Sequence, residues 1–181
     1  MKHTRNTPIR EIALKDPAAA RQRIIGQLEH TKKRAPFHAD VVGLIEDGLR
    51  DDEVDLTAAL ARCLEVCCAR LELPFDWRRD SEMKLELGEI TGPGSWALEI
   101  SRALGARSYV NPPGGEDIFD PADFAAAGIE LRILEPELRP YDQGGRPFEA
   151  GLSILDLFLW NDPATVRGML DDHTLRTVHA S

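Results

Sequence analysis

Cysteine and histidine are too few and too scattered in this chain to suggest a metal centre. Cys63, Cys67 and Cys68 lie within about a turn of one expected helix, and none of the five histidines stands four residues from another. A tetrahedral site needs a second Cys/His cluster, so no metal is expected. The thiols are read as reduced, mostly buried, weakly polar packing groups. No apolar run reaches the roughly 18–20 residues of a membrane span, and the polar opening MKHTRNTPIR has no signal-peptide core. A cytoplasmic protein without membrane insertion is the expectation. Basic residues are in deficit, 22 Lys plus Arg against 31 Asp plus Glu, a net charge of −9. That balance argues against unaided binding to nucleic acid or anionic membrane. Neither a GxGxxG nor a Walker sequence occurs, and no cofactor is assigned.

What is present reads as one domain over residues 1–181, long enough to bury a sizeable core. Residues 9–14 alternate weakly and are expected to form an edge strand, exposed or paired with a partner. Asp16-Pro17 is an N-cap followed by the favoured first-turn proline, and a helix is expected from there to about Arg34. The basic run HTKKR at its end is read as a solvated terminus. After Pro36, residues Phe37, Val41, Leu44, Ile45 and Leu49 recur at helical spacing, and Leu56, Leu60, Cys63, Leu64, Cys67 and Leu71 form a third apolar stripe.

The second half changes character. TGPG (91–94) precedes a short helix closed by Gly105, and ARSYV reads as a buried strand. Asp120-Pro121 starts another short helix, Gly128 stops it, and Ile129, Leu131 and Ile133 alternate as a second strand. A strand, helix, strand order implies a parallel pair. The fold class is therefore α/β: a helix-rich first half, then a strand-helix-strand parallel unit with helices packed on a small sheet. GLSILDLFLWN is apolar almost all round and is read as a buried helix. Asp162-Pro163 caps a last helix, and residues 172–181 are expected to be a frayed tail.

The stretch 111–117 leaves the carboxyl end of the presumed parallel strand, where open α/β sheets place ligands. Its Gly114 and Gly115, with Gly92, Gly94 and Ser95 of the earlier loop, can present backbone N–H groups to an anionic or polar ligand. Both loops also read as plain tight turns. Asn111, Glu116, Asp117, Tyr141, Asp142, Ser153 and Asp156 are the other polar candidates. Asp156 is the sharpest, because a carboxylate on an apolar helix must be hydrogen-bonded or change its protonation. It could instead join Ser153 in satisfying N–H groups at the helix start. No Ser-His-Asp or Cys-His order is legible, so no catalytic residue is assigned. His38 is read as a helix-end residue.

LGARSYVNPPGGEDIFDPADFAAAGIEL, RPYDQGG and GLSILDLFLWNDP, preceded by TKKRAPFHADV, together resemble the WbqC-like family, proteins often encoded in bacterial O-antigen and other surface-polysaccharide clusters. The resemblance covers the family's carboxyl-terminal two-thirds. The family's opening His-Gln-Pro-x-Tyr-x-Pro-Trp segment has no counterpart in residues 1–20, which suggests an amino-terminal truncation. Pro93-Gly94-Ser95-Trp96 stands where the family tends to have Lys-Thr-Glu-Arg. The resemblance implies a tailoring step in surface-polysaccharide or glycoconjugate biosynthesis, with acyl or aminoacyl transfer to an amino sugar as one form. It implies a small sugar or acyl substrate, with an acyl carrier protein as a candidate donor. The competing expectation is a non-catalytic interaction module, or an inactive truncated paralogue, completed by a partner chain such as a second copy.

Overall fold

A computed structural model describes residues 7–180. Its helices are α1 (Pro17–Leu28), α2 (His38–Gly48), α3 (Leu56–Arg70), α4 (Asp80–Met83), α5 (Pro93–Ala103), α6 (Pro121–Ala126), α7 (Ile154–Trp160) and α8 (Pro163–Leu170), and its strands are β1 (Ser108–Asn111), β2 (Glu130–Pro136) and β3 (His173–Thr177). The chain divides into two compact units. One comprises the residues up to Trp77 with Arg139–Met169; the other comprises Arg78–Leu138 and the residues from Leu170 onwards.

The first unit is helical. Asp16 caps α1 by accepting from the Ala19 N–H (2.9 Å), and Asp55 caps α3 through Thr57 and Ala58 (2.8 and 3.1 Å). Each such cap is worth about 1 kcal/mol. The core joins Val41 and Ile45 of α2, Leu71 after α3, Phe158 and Leu159 of α7, and Val166 of α8. Val41, Phe158 and Val166 are fully buried, and each contributes about 1.5–3 kcal/mol by leaving water. Arg70 lies over the Phe158 ring at 5.3 Å and pairs with Asp40 at 3.4 Å. The expected continuation of α1 to Arg34 stops short. The chain tightens into a 3₁₀ turn over Glu29–Thr31, where the Thr31 hydroxyl donates to the Leu28 carbonyl (2.7 Å). The edge strand expected at 9–14 is also corrected. Ile9–Glu11 is a 3₁₀ turn, and Ala13 makes only an isolated bridge to Asp55. Leu14 and Leu56 exchange bonds with Val54 and Ile12, so the segment pairs with the loop ahead of α3 and finds no extended partner.

The second unit carries the sheet. β1 and β2 are parallel, with Ser108 opposite Glu130 and Asn111 opposite Ile133, and α6 lies between them in sequence as the strand-helix-strand pattern requires. Tyr109, Phe119 and Phe124 pack edge-on or tilted at 5.4–5.8 Å over Leu98, Ile129 and Leu131. The frayed tail expected at 172–181 is corrected: His173–Thr177 is β3, antiparallel on the free edge of β2. Polar groups hold it there. Arg176 donates to Glu135 (2.8 Å) and Glu116 (2.7 Å), and the Thr177 hydroxyl donates to Glu130 (2.7 Å). The strand is exposed along most of its length, so it has no apolar alternation to give it away in the sequence. The mixed three-stranded sheet and surrounding helices confirm the α/β class. Among the described residues no helix is long and apolar enough to cross a membrane.

Candidate functional site

The irregular segment 139–153 of the first unit closes over the start of α7, and a buried amide organises it. Gln143 is 6 % exposed. Its carbonyl oxygen accepts from the Glu149 N–H (2.8 Å), while its amide nitrogen donates to the Glu149 carbonyl (3.0 Å) and to Asp156 Oδ2 (3.1 Å). One side chain thereby fixes both ends of a six-residue loop and delivers a donor to the helix. The Asp142 carboxylate accepts from the Gly145 N–H (2.7 Å) and closes the turn between them. Gly144 and Gly145 both take positive φ, +72° and +73°. A Cβ on Gly144 would sit 2.5 Å from Trp160 Cη2 and 3.3 Å from an Arg34 Nη2, so the bare glycine lets the loop lie flat against the indole.

Asp156 is the centre of this arrangement. Its Oδ2 accepts the Tyr141 hydroxyl at 2.6 Å and the Gln143 amide at 3.1 Å; among the described residues its Oδ1 accepts only the Trp160 Nε1, at 3.3 Å. Trp160 is one turn further along α7, so four-residue spacing aligns the indole with the carboxylate. Burial, and then the bond to Asp156, push the Tyr141 phenol up to about 12, so it remains a donor at any physiological pH. Phe148 packs edge-on to Tyr141 at 5.4 Å. Asp156 therefore satisfies side-chain donors, and the alternative in which it serves backbone N–H groups at the helix start is not what forms. Ser153 alone is the N-cap, accepting from the Leu155 N–H (3.3 Å).

Asp156, Gln143 and Trp160 line a cavity of about 170 Å³ with Arg34, Arg146 and Glu149. That is smaller than the ~300–1,000 Å³ clefts that hold drug-sized ligands, so it has room only for a small group. Ser153 lies on a second cavity of about 250 Å³, walled by Leu44, Leu49, Cys63, Cys67 and Leu155. Burial raises the Cys63 and Cys67 thiols, in keeping with packing groups.

The glycine loops belong to the second unit, and their polar atoms are largely committed. The Ser95 hydroxyl accepts from the Thr91 and Gly92 N–H groups (3.0 Å each) and donates to the Gly92 carbonyl (2.7 Å), capping α5. A Cβ on Gly94 would collide with the Ile118 carbonyl, so that glycine serves a backbone crossing. Asn111 donates to the Pro112 carbonyl (2.8 Å) and accepts from Tyr109 (3.2 Å), with Gly115 directly beneath its amide. Gly92 and Gly114 have open space around them, and Asp117 is exposed on the 3₁₀ turn Pro113–Ile118. Neighbouring Glu116 is held below the usual carboxylate range by Arg176.

Of the sequence candidates, then, Tyr141 and Asp156 meet in one network with Asp142 bracing its loop. Arg34, Gln143, Arg146 and Trp160 were missed. Arg34 had been absorbed into a basic run read as a helix terminus. Gln143 carried one legible signal, a long polar side chain ahead of a Gly-Gly turn.

The WbqC-like protein family model matches residues 1–168, and the chain belongs to that family. The matched range includes the opening twenty residues, in which no family motif was legible. No curated protein and no solved structure matches the chain.

Proposed function

We propose that this protein performs a tailoring step in bacterial surface-polysaccharide or glycoconjugate biosynthesis, and that the cavity beside α7 is where its small substrate binds. The observation that carries the proposal is the Asp156 carboxylate. It is fixed by Tyr141, Gln143 and Trp160 yet still lines a cavity, with Oδ1 engaged by a single long bond. A carboxylate so held accepts a hydroxyl or amine hydrogen of a sugar without having to reorganise. Acyl or aminoacyl transfer to an amino sugar is the reaction class that fits, with Asp156 orienting the attacking group through its N–H or O–H. The acyl donor is a small activated acyl compound or a carrier protein, and the setting is the cytoplasm. The loops at 91–95 and 111–117 are not part of this reading, because capping and backbone packing engage most of their polar atoms.

The test is an amide and indole NMR titration with nucleotide-activated amino sugars. Shifts at the Trp160 indole N–H, the Gln143 amide and Gly144–Gly145 are expected, and Asp156→Asn should abolish them with little change in melting point. Shifts confined to Gly92, Gly94, Gly114 and Gly115 would move the site to the other unit and sink this assignment.

A second reading, an interaction module that needs a second copy, is favoured by α3, where Leu60 and Leu64 stand 49 % and 56 % exposed four residues apart. Light scattering decides it: a monomer at high concentration counts against this reading.

A further inference from the structure

The arginines of this acidic chain mostly face carboxylates: Arg21 meets Asp51 (2.8 Å), Arg102 meets Glu99 (2.9 Å), and Arg176 meets Glu116 (2.7 Å) and Glu135 (2.8 Å). Arg34 and Arg146, like Arg23, Arg78 and Arg107, have no such partner among the described residues, and these two meet on one cavity. Both line the cavity beside α7, and among the described residues neither guanidinium makes an ion pair or a hydrogen bond. Arg34 is brought beside the Gly144 backbone and the Trp160 ring, with its Nη2 3.3 Å from where a Gly144 Cβ would stand. What sets these two apart is their place: two exposed guanidinium groups, neither neutralised by a carboxylate, on the lining of one small cavity.

The same cavity is also lined by Glu149 and Asp156. An isolated anion would gain from the arginines and lose to these carboxylates. A ligand satisfies all four only if it carries an anionic group at one end and hydrogen-bond donors at the other. We infer that the cavity selects an anionic sugar, its carboxylate or phosphate held by Arg34 and Arg146 and its hydroxyl or amine hydrogens by Asp156 Oδ1 and Glu149. Guanidinium suits either anion, since its planar fork donates two parallel bonds to a pair of oxygens. The inference rests on the proposal that this cavity is the sugar site, and adds the charge of the substrate to it.

The experiment measures the affinity of galactose, galacturonate, galactose 1-phosphate and inorganic phosphate by calorimetry, for the full chain and for Arg34→Gln and Arg146→Gln. Both side chains are exposed, so the variants should melt with the wild type. At least one charged sugar should bind tenfold or more tighter than galactose, and each substitution should weaken it about tenfold while sparing galactose. Which charged sugar binds identifies the anion. Galactose binding as tightly as the charged sugars, or charged sugars binding the variants as well as the wild type, overturns the inference and leaves the cavity standing as a sugar site. If no sugar binds but inorganic phosphate does, and both substitutions abolish it, the sugar-site proposal fails and the arginine pair stands as an anion site. If nothing binds, both fall.

Discussion

Adding one methyl group at each of two adjacent glycines separates backbone strain from packing at the cavity wall. Gly144 and Gly145 have nearly the same positive φ, +72° and +73°, so alanine at either meets the same left-handed penalty. That penalty is about 1–2 kcal/mol, offset by about 0.4–1 kcal/mol from the less flexible unfolded chain. Around Gly145 there is open space, so Gly145→Ala should cost only this difference, about 1 kcal/mol. At Gly144 the new methyl would stand 2.5 and 2.8 Å from two Trp160 ring carbons, where carbon–carbon contacts settle near 3.5–4.0 Å. The indole must move by about 1 Å. Overpacking of that size costs about 1–3 kcal/mol, and displacing the ring also strains its 3.3 Å bond to Asp156. Gly144→Ala should therefore cost about 2–5 kcal/mol in all. Urea unfolding followed at the Trp160 indole N–H reports on the unit that holds both glycines. With a slope of about 2 kcal/mol per molar, the two midpoints should differ by roughly 0.5–2 M. Equal midpoints would refute the argument that the loop is pressed against the indole.

Asp156→Leu leaves the Tyr141 and Trp160 donors without their acceptor and removes one of the acceptors of Gln143, at about 1–3 kcal/mol for a buried unpaired donor. Asp156→Asn keeps one acceptor oxygen, so it should be the milder change in urea unfolding, and a leucine variant no less stable than the asparagine one would contradict the network. The chain has two tyrosines, so in Tyr109→Phe the phenolate absorbance titrates Tyr141 alone, and its midpoint should lie near pH 12. Because the folded value is raised above the unfolded one of about 10, the stability from neutral Tyr141 is complete below pH ~10 and is lost as pH climbs toward 12. A phenolate midpoint near 10 would remove that contribution. In the second unit, Gly94→Ala should unfold α5 from the Ile118 backbone, while Gly92→Ala, with open space around an extended φ of −174°, should be close to neutral. Thermal melts that rank the two the other way would reopen the first glycine loop as a ligand loop.

The caps, stripes and stops were written locally, and so they were legible in the sequence. Asp16-Pro17 and Asp120-Pro121 start helices because a carboxylate can reach the first N–H groups of its own chain. The stripe from Leu56 to Leu71 is set by helical geometry alone, and the Gly128 stop between α6 and β2 by backbone conformation alone. The parallel pair followed from element order, since a short helix between two strands brings them together side by side. The family likewise rests on motifs laid out along the chain. Tertiary structure decided whatever depends on a partner distant in sequence. β3 exists because β2 has a second edge to fill and Arg176 meets Glu116, sixty residues away; nothing in HTLRT itself demands a strand. Residues 9–14 do not become a strand because the pairing they make is an isolated bridge to Asp55 in the loop before α3. Asp156 stood out in the sequence as a carboxylate that needed partners, but Tyr141 and Gln143 lie fifteen and thirteen residues away across an irregular loop. Arg34 reaches the same cavity from a turn more than a hundred residues earlier. No periodicity links such positions; the folded chain alone brings them onto one wall.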